Sequence, residues 1–145
     1  MSEAFDARMM RRAIDVARTR LGQTAPNPAV GCVLVKDGQV IAEAATARGG
    51  RPHAEEQALA ALGDAARGAW AYVTLEPCGR RSSGVPSCAE RLVAAGVTRV
   101  AIACENPHPL SAGLGIERLK AAGVEVVCGL LAEDASRILY QGPAS

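Results

Sequence analysis

A histidine and a glutamate two positions apart in "HAE" (His53, Glu55), with Cys78 in "EPC" and Cys88 in "PSC" further on, are the residues of this chain best equipped for chemistry. Zinc binds His nitrogen and Cys thiolate in a tetrahedron, and a catalytic site uses three protein ligands while the fourth position takes water. One His and two Cys meet that count, which predicts a single Zn2+ held by His53, Cys78 and Cys88. A carboxylate on the first helical turn, two residues past the ligand, is near enough to take a proton from the metal's water and return it to a leaving amine. Glu55 has that place. A lone histidine at a helix start is more often a cap or a surface residue, so everything depends on the three segments meeting.

The apolar pattern predicts that they do. Met10, Ile14, Ala17 and Leu21 recur at helical spacing with arginines between them, giving an amphipathic helix closed near Gly22. Prolines on both sides of Asn27 forbid helix and fix an extended turn that presents its amide. "AVGCVLV" and "QVIAEA" are apolar runs joined by Lys36, Asp37 and Gly38, a strong hairpin signal. A helix over residues 53–62 follows, then strand "AWAYVTL", helix "SCAERLVAAG", strand "VTRVAIAC", helix "GIERLKAAG" and strand "VEVVCG". The helices close at Gly63, Gly96 and Gly123. This alternation predicts one α/β domain over residues 1–145, with a mixed five-stranded sheet, an N-terminal hairpin and parallel last strands. In such sheets ligands gather beyond the carboxyl ends of strands and at the helix starts that follow. His53 and Cys88 open helices and Cys78 follows a strand, so all three fall at one end.

Composition narrows the function classes. A chain of 145 residues, 49% hydrophobic, can bury a core without disulfides. A net charge of +1 with Lys and Arg spread along the chain argues against nucleic acid or an anionic membrane as partner, and 3% aromatic residues leave little for base stacking. The charged N-terminal segment holds no signal peptide and no later stretch is long enough to span a bilayer, so a cytoplasmic location is expected. Five cysteines are an odd number for a disulfide framework. Cys32, Cys104 and Cys128 lie in apolar strand patterns and read as small buried hydrophobes, Glu56 as a first-turn acid facing solvent, and Trp70 as packing at the edge of the core.

His-x-Glu followed by Pro-Cys and a second Cys is the zinc deaminase signature, here with the cysteines set wider than the usual two-residue gap. "TAPNPAVGCVLVKDGQVIAE", "RPHAEEQAL", "AYVTLEPCGRRSSGVPSC", "LVAAGVTRV" and "AGLGIERLKAAGVEVVCGLL" together resemble, in order and over nearly the whole chain, the deaminase domain of the bifunctional riboflavin-biosynthesis enzyme. That family has a long loop between its zinc cysteines. The resemblance implies a three-layer α/β/α sandwich of the cytidine deaminase-like fold, His53, Cys78 and Cys88 as ligands of one Zn2+, Glu55 as proton shuttle and Asn27 as a contact to the substrate ring. It further implies a diamino ribosylamino pyrimidinone phosphate as substrate and, by analogy, a homodimer or higher homo-oligomer. The reductase domain of that enzyme has no counterpart in residues 1–145.

Three departures from the family pattern fall outside the metal motif. "EAAT" places Thr46 where the family has a histidine; "GRRSSGVPSC" puts Arg80 and Arg81 into a slightly longer segment between the cysteines; and Asn106 and His108 of "NPHP" replace an Asp and an Asn. These are the expected substrate contacts, with Arg80 and Arg81 as anion ligands or solvated loop charges and His108 facing either the pocket or water. The alternative substrate is therefore another nucleobase, nucleoside or specialised-metabolite ring. A structural zinc module is disfavoured by Glu55, since a closed site would have a fourth protein ligand. Editing on tRNA or single-stranded DNA is the least supported, for want of a basic channel.

Overall fold

The computed structural model describes residues 3–25, 27–79, 86–107 and 112–139. Five strands, β1 (Gly31–Lys36), β2 (Gln39–Ala45), β3 (Trp70–Leu75), β4 (Arg99–Cys104) and β5 (Glu125–Cys128), form one sheet in the order β2-β1-β3-β4-β5. β1 runs antiparallel to both β2 and β3, while β3, β4 and β5 are parallel. The hairpin turn has Asp37 at φ 53° and Gly38 at φ 77°. Two consecutive positive φ values are what a two-residue turn matched to strand twist requires, and Asp-Gly is a favoured pair for it.

Helices cover both faces, as a sheet with buried, near-continuous apolar strands demands. α2 (Ala54–Leu62), α3 (Cys88–Ala94) and α4 (Leu114–Ala121) lie on one side, burying Ala54, Ala58, Ala89, Leu92 and Leu119 against Leu34, Val73 and Ile102. α1 (Glu3–Arg18) and α5 (Ala132–Leu139) lie on the other, where Met10, Ile14 and Ile138 meet Val33, Val35 and Tyr72. The result is the expected three-layer sandwich with its five-stranded mixed sheet. α5 was not expected. Its stripe of Ala135, Ile138 and Leu139 spans barely two turns, too short for a periodicity signal.

The amino ends of the parallel strands are tied by a charged cluster. Asp6 of α1 accepts two hydrogen bonds from the Arg99 guanidinium at 3.0 and 2.8 Å and one from the Tyr72 hydroxyl at 2.5 Å. Arg99 also lies 4.6 Å from the Trp70 ring centroid and reaches Glu125 through Nε at 3.0 Å. Hydrogen bonding from Arg99 holds the Asp6 carboxyl below its usual range against the opposing effect of burial. Trp70 is thus a half-buried platform for a cation as well as a packing residue. Cys128, at the end of edge strand β5, is exposed, which corrects its reading as a buried hydrophobe; Cys32 is fully buried as expected.

Candidate active site

The opposite end of the sheet gathers the chemistry. Cys78 follows β3, Cys88 is the first residue of α3, and His53 is the N-cap of α2. His53 Nδ1 lies 3.3 Å from Cys88 Sγ, and the ligand atoms of His53, Cys78 and Cys88 all fall within 4.8 Å of one another. A tetrahedral zinc with bonds of about 2.0 Å to nitrogen and 2.3 Å to sulfur separates its ligand atoms by roughly 3.5–3.8 Å, so the donor set fits that metal in both type and spacing. Backbone geometry supports the thiolates: Cys88 N donates to Cys78 Sγ at 3.2 Å and Ala89 N to the Cys78 carbonyl at 3.0 Å. Ser87 caps α3 by accepting from Glu90 N at 3.2 Å, which fixes where Cys88 begins.

Glu55 lies in the first turn of α2, only 4% exposed, and shares a cavity wall with His53 and Cys78. Burial is the chief reason its carboxyl is pushed up to about 7; Cys78 and Glu56 act in the same direction, while its own backbone N–H and His53 oppose. Glu56 departs from the expected solvent-facing acid. Its side chain is 17% exposed, Oε1 accepts from His53 N at 3.3 Å, and Oε2 lies 3.8 Å from Arg91. It therefore braces the start of α2, the helix that carries both His53 and Glu55.

The cavity measures about 160 Å3 and is also lined by Asn27, Val30, Thr46, Leu75, Glu76 and Asn106. At about 30 Å3 per water it holds the equivalent of roughly five waters, a size suited to one substituted six-membered ring. Asn27 Nδ2 donates to the Gly50 carbonyl at 2.9 Å. A carbonyl can only accept, so the amide orientation is forced, and toward a ligand Asn27 offers its Oδ1 as an acceptor. The Thr46 hydroxyl accepts from Val30 N at 2.9 Å and is 3.2 Å from the Pro28 carbonyl, to which it donates. With its proton so directed, Thr46 can only accept from a ligand. Asn106 reaches the cavity from the segment after β4. Arg80, Arg81 and His108 lie outside the described residues.

Two residues of the site were missed from sequence. Gly50, at φ 94°, supplies the carbonyl that orients Asn27, and a Cβ there would sit 2.7 Å from Asn27 Nδ2. Glu76 is a buried carboxylate on the cavity wall whose partners are all backbone N–H groups. A Gly-Gly pair ahead of the histidine hinted at the first; for the second, the only signal was an acid at the carboxyl end of a buried strand.

Residues 3–104 match the model of the cytidine and deoxycytidylate deaminase zinc-binding region. The riboflavin biosynthesis protein RibD of Escherichia coli (strain K12) is 45% identical over 133 residues, covering 92% of this chain and 36% of that protein. Among solved structures, Acinetobacter baumannii RibD (form 2) superposes with a TM-score of 0.91 at 48% identity, covering 97% of this chain and 39% of that one. The Thermotoga maritima diaminohydroxyphosphoribosylaminopyrimidine deaminase/5-amino-6-(5-phosphoribosylamino)uracil reductase gives 0.88 at 37%, covering 94% and 40%. This chain thus spans well under half the length of these relatives. Among the described residues, no helix is long and apolar enough to cross a membrane. A His53–Cys78–Cys88 donor set beside a buried Glu55, on this sheet and with these relatives, makes the chain a member of the cytidine and deoxycytidylate deaminase family, similar over more than nine-tenths of its length to part of RibD.

Proposed function

We propose that this chain hydrolytically deaminates a small aminopyrimidine, and within that class the diamino ribosylamino pyrimidinone phosphate of riboflavin biosynthesis, releasing ammonia and the matching uracil. The observation that carries this is the buried Glu55 on the wall of a ring-sized cavity, beside three donors suited to zinc. Likeness to the riboflavin biosynthesis proteins RibD of Escherichia coli and chloroplastic PYRD of Zea mays supports the pathway, and likeness to the Thermotoga maritima diaminohydroxyphosphoribosylaminopyrimidine deaminase/reductase supports the substrate.

A zinc ion held by His53, Cys78 and Cys88 would supply Lewis-acid activation of water and one positive charge centre against the reacting carbon. Glu55 takes the proton of the attacking water on a carboxylate oxygen and delivers it to the exocyclic nitrogen, which leaves as ammonia. A carboxyl poised near neutral pH does both halves of that transfer well. Asn27 Oδ1 and the Thr46 hydroxyl accept from ring or amine N–H groups, while Val30 and Leu75 keep bulk water off the ring. Arg80 and Arg81 are assigned to the phosphate. A homo-oligomeric assembly and a cytoplasmic location belong to the same proposal by likeness to the family.

A different ring is the second reading, favoured by Thr46, whose hydroxyl is engaged with Val30 N and the Pro28 carbonyl just ahead of β1, where the resemblance leads one to expect a histidine. Zinc-loaded protein incubated with the pyrimidinone phosphate, its dephosphorylated form, cytidine, deoxycytidylate and guanine, with ammonia as readout, decides. Turnover of the phosphorylated precursor well above the rest is expected; turnover of another ring alongside none of the precursor would reject the riboflavin assignment and keep the deaminase.

A further inference from the structure

We infer that Glu76 is a positioning residue, whose buried carboxylate fixes Asn106 as a wall of the cavity by holding both ends of the β4–α4 connection against the Pro77–Cys78 turn; the inference rests on the deaminase function proposed above. Glu76 comes directly after β3 and is 4% exposed. One carboxylate oxygen accepts from Asn106 N and from Gly113 N, both at 3.0 Å, and the other accepts from Ile116 N at 3.1 Å. Asn106 stands at the start of the connection, and Gly113 and Ile116 stand at its end and in the first turn of α4.

The anchor itself is rigid. Glu76 N donates to the Cys104 carbonyl at 2.8 Å, which locks its backbone to β4. α4 presses directly on the same turn, since a Cβ at Gly115 would lie 1.8 Å from the Pro77 carbonyl oxygen. A carboxylate offers about four acceptor sites, and three are taken by main-chain donors, so most of what Glu76 does is hold the chain that carries Asn106. The chemistry of His53, Glu55, Cys78 and Cys88 does not pass through it, whereas the shape of the ring pocket does.

Two variants of the zinc-loaded protein test this. Glu76→Ala removes all three acceptors. Glu76→Gln keeps one oxygen for the shared Asn106 and Gly113 pair and sets its NH2 against Ile116 N–H. In Glu76→Ala the amides of Asn106, Gly113 and Ile116 should lose hydrogen-exchange protection, and KM should rise about tenfold with kcat within about threefold and one zinc retained per chain. In Glu76→Gln only Ile116 should lose protection, with KM within about threefold of wild type. An Asn106 amide still protected in Glu76→Ala overturns the proposal, as does loss of kcat at unchanged KM or loss of zinc, either of which would place the role at Cys78. If Glu76→Ala does not fold, Glu76→Gln decides: loss confined to Ile116 supports, no loss at any of the three amides overturns. If the wild type releases no ammonia from the pyrimidinone phosphate, the substrate assignment fails by itself, and the exchange pattern with KM on whichever ring is turned over still tests Glu76.

Discussion

Glu55→Gln is nearly isosteric and separates chemistry from architecture. Removing a general acid–base group costs about a hundredfold to ten-thousandfold in rate, or roughly 3–5 kcal/mol in the barrier. Zinc content should stay at one per chain, because Glu55 is not in the His53–Cys78–Cys88 donor set. The same substitution carries a stability signature of opposite sign. In protein stripped of metal by a chelator, the folded-state carboxyl is pushed from 4.5 to about 7, chiefly by burial. A raised acid binds its proton more tightly folded than unfolded. Wild-type stability from this group is therefore fully present below the unfolded value and is lost as pH rises through about 7. The loss is bounded by roughly 3–4 kcal/mol, at about 1.4 kcal/mol for each unit of the rise. Glutamine does not titrate, so chelated Glu55→Gln should be more stable than chelated wild type at pH 8 and lose that advantage by pH 5. Urea titrations at the two pH values and ammonia release by the zinc-loaded variant are the assays. Activity above about a tenth of wild type would remove Glu55 from proton transfer, and parallel pH–stability curves for the two proteins would refute the burial account of its environment.

Two further perturbations separate the ring pocket from the scaffold. Gly50→Ala forces a side chain onto a φ of 94° and to 2.7 Å from Asn27 Nδ2, so KM should rise more than kcat falls, with stability lowered by about 1–3 kcal/mol; an unchanged KM would mean that Asn27 does not touch the ring. Asp6→Asn breaks the pair with Arg99, in which both side chains are 11% exposed, and should cost about 3 kcal/mol at pH 7. Because the Asp6 carboxyl is held low in the folded state, that stability is present above its unfolded value of about 4 and is lost progressively as pH falls from there through the lower folded value. The gap between the denaturation midpoints of wild type and variant should narrow steadily as pH is lowered from about 5 through about 4 and below, and a constant gap would show that the charge contributes nothing.

The letters that declared themselves are those whose chemistry is scarce and local. Two histidines in the whole chain, one of them two residues from an acid and followed by "EPC", leave few uses for His53, Cys78 and Cys88 other than a metal. Asp37-Gly38 likewise carries its own geometry, since both residues take the positive φ that the turn needs. The strands were legible because layers on both faces make them continuously apolar. What stayed hidden depends on partners with no letter of their own. Glu76 meets backbone N–H groups 30, 37 and 40 residues away, and any residue but proline would supply them. Gly50 acts through its carbonyl and through the absence of a side chain. Asp6 and Arg99 are 93 residues apart, and only the docking of α1 across the sheet brings them together.

These hidden contacts divide along the strands in a way that bears on function. At the amino ends of β3, β4 and β5, Asp6, Tyr72, Arg99 and Glu125 are matched donor to acceptor. At the carboxyl ends, Glu55 is buried at a pKa far from its ordinary value, and Asn27 and Thr46 keep acceptor capacity toward a cavity. A buried polar group stripped of its partner costs of order 1–3 kcal/mol, so the side chains that face the cavity keep their orientation through hydrogen bonds to the scaffold behind them. Glu56 braces the helix of His53 and Glu55, Gly50 braces Asn27, and Glu76 braces Asn106. Thr46 is held in the same way by the Val30 N–H and the Pro28 carbonyl. Side chains that face the ring are thus set from behind, which makes Gly50, through Asn27, and Glu76, through Asn106, sharp tests of pocket shape.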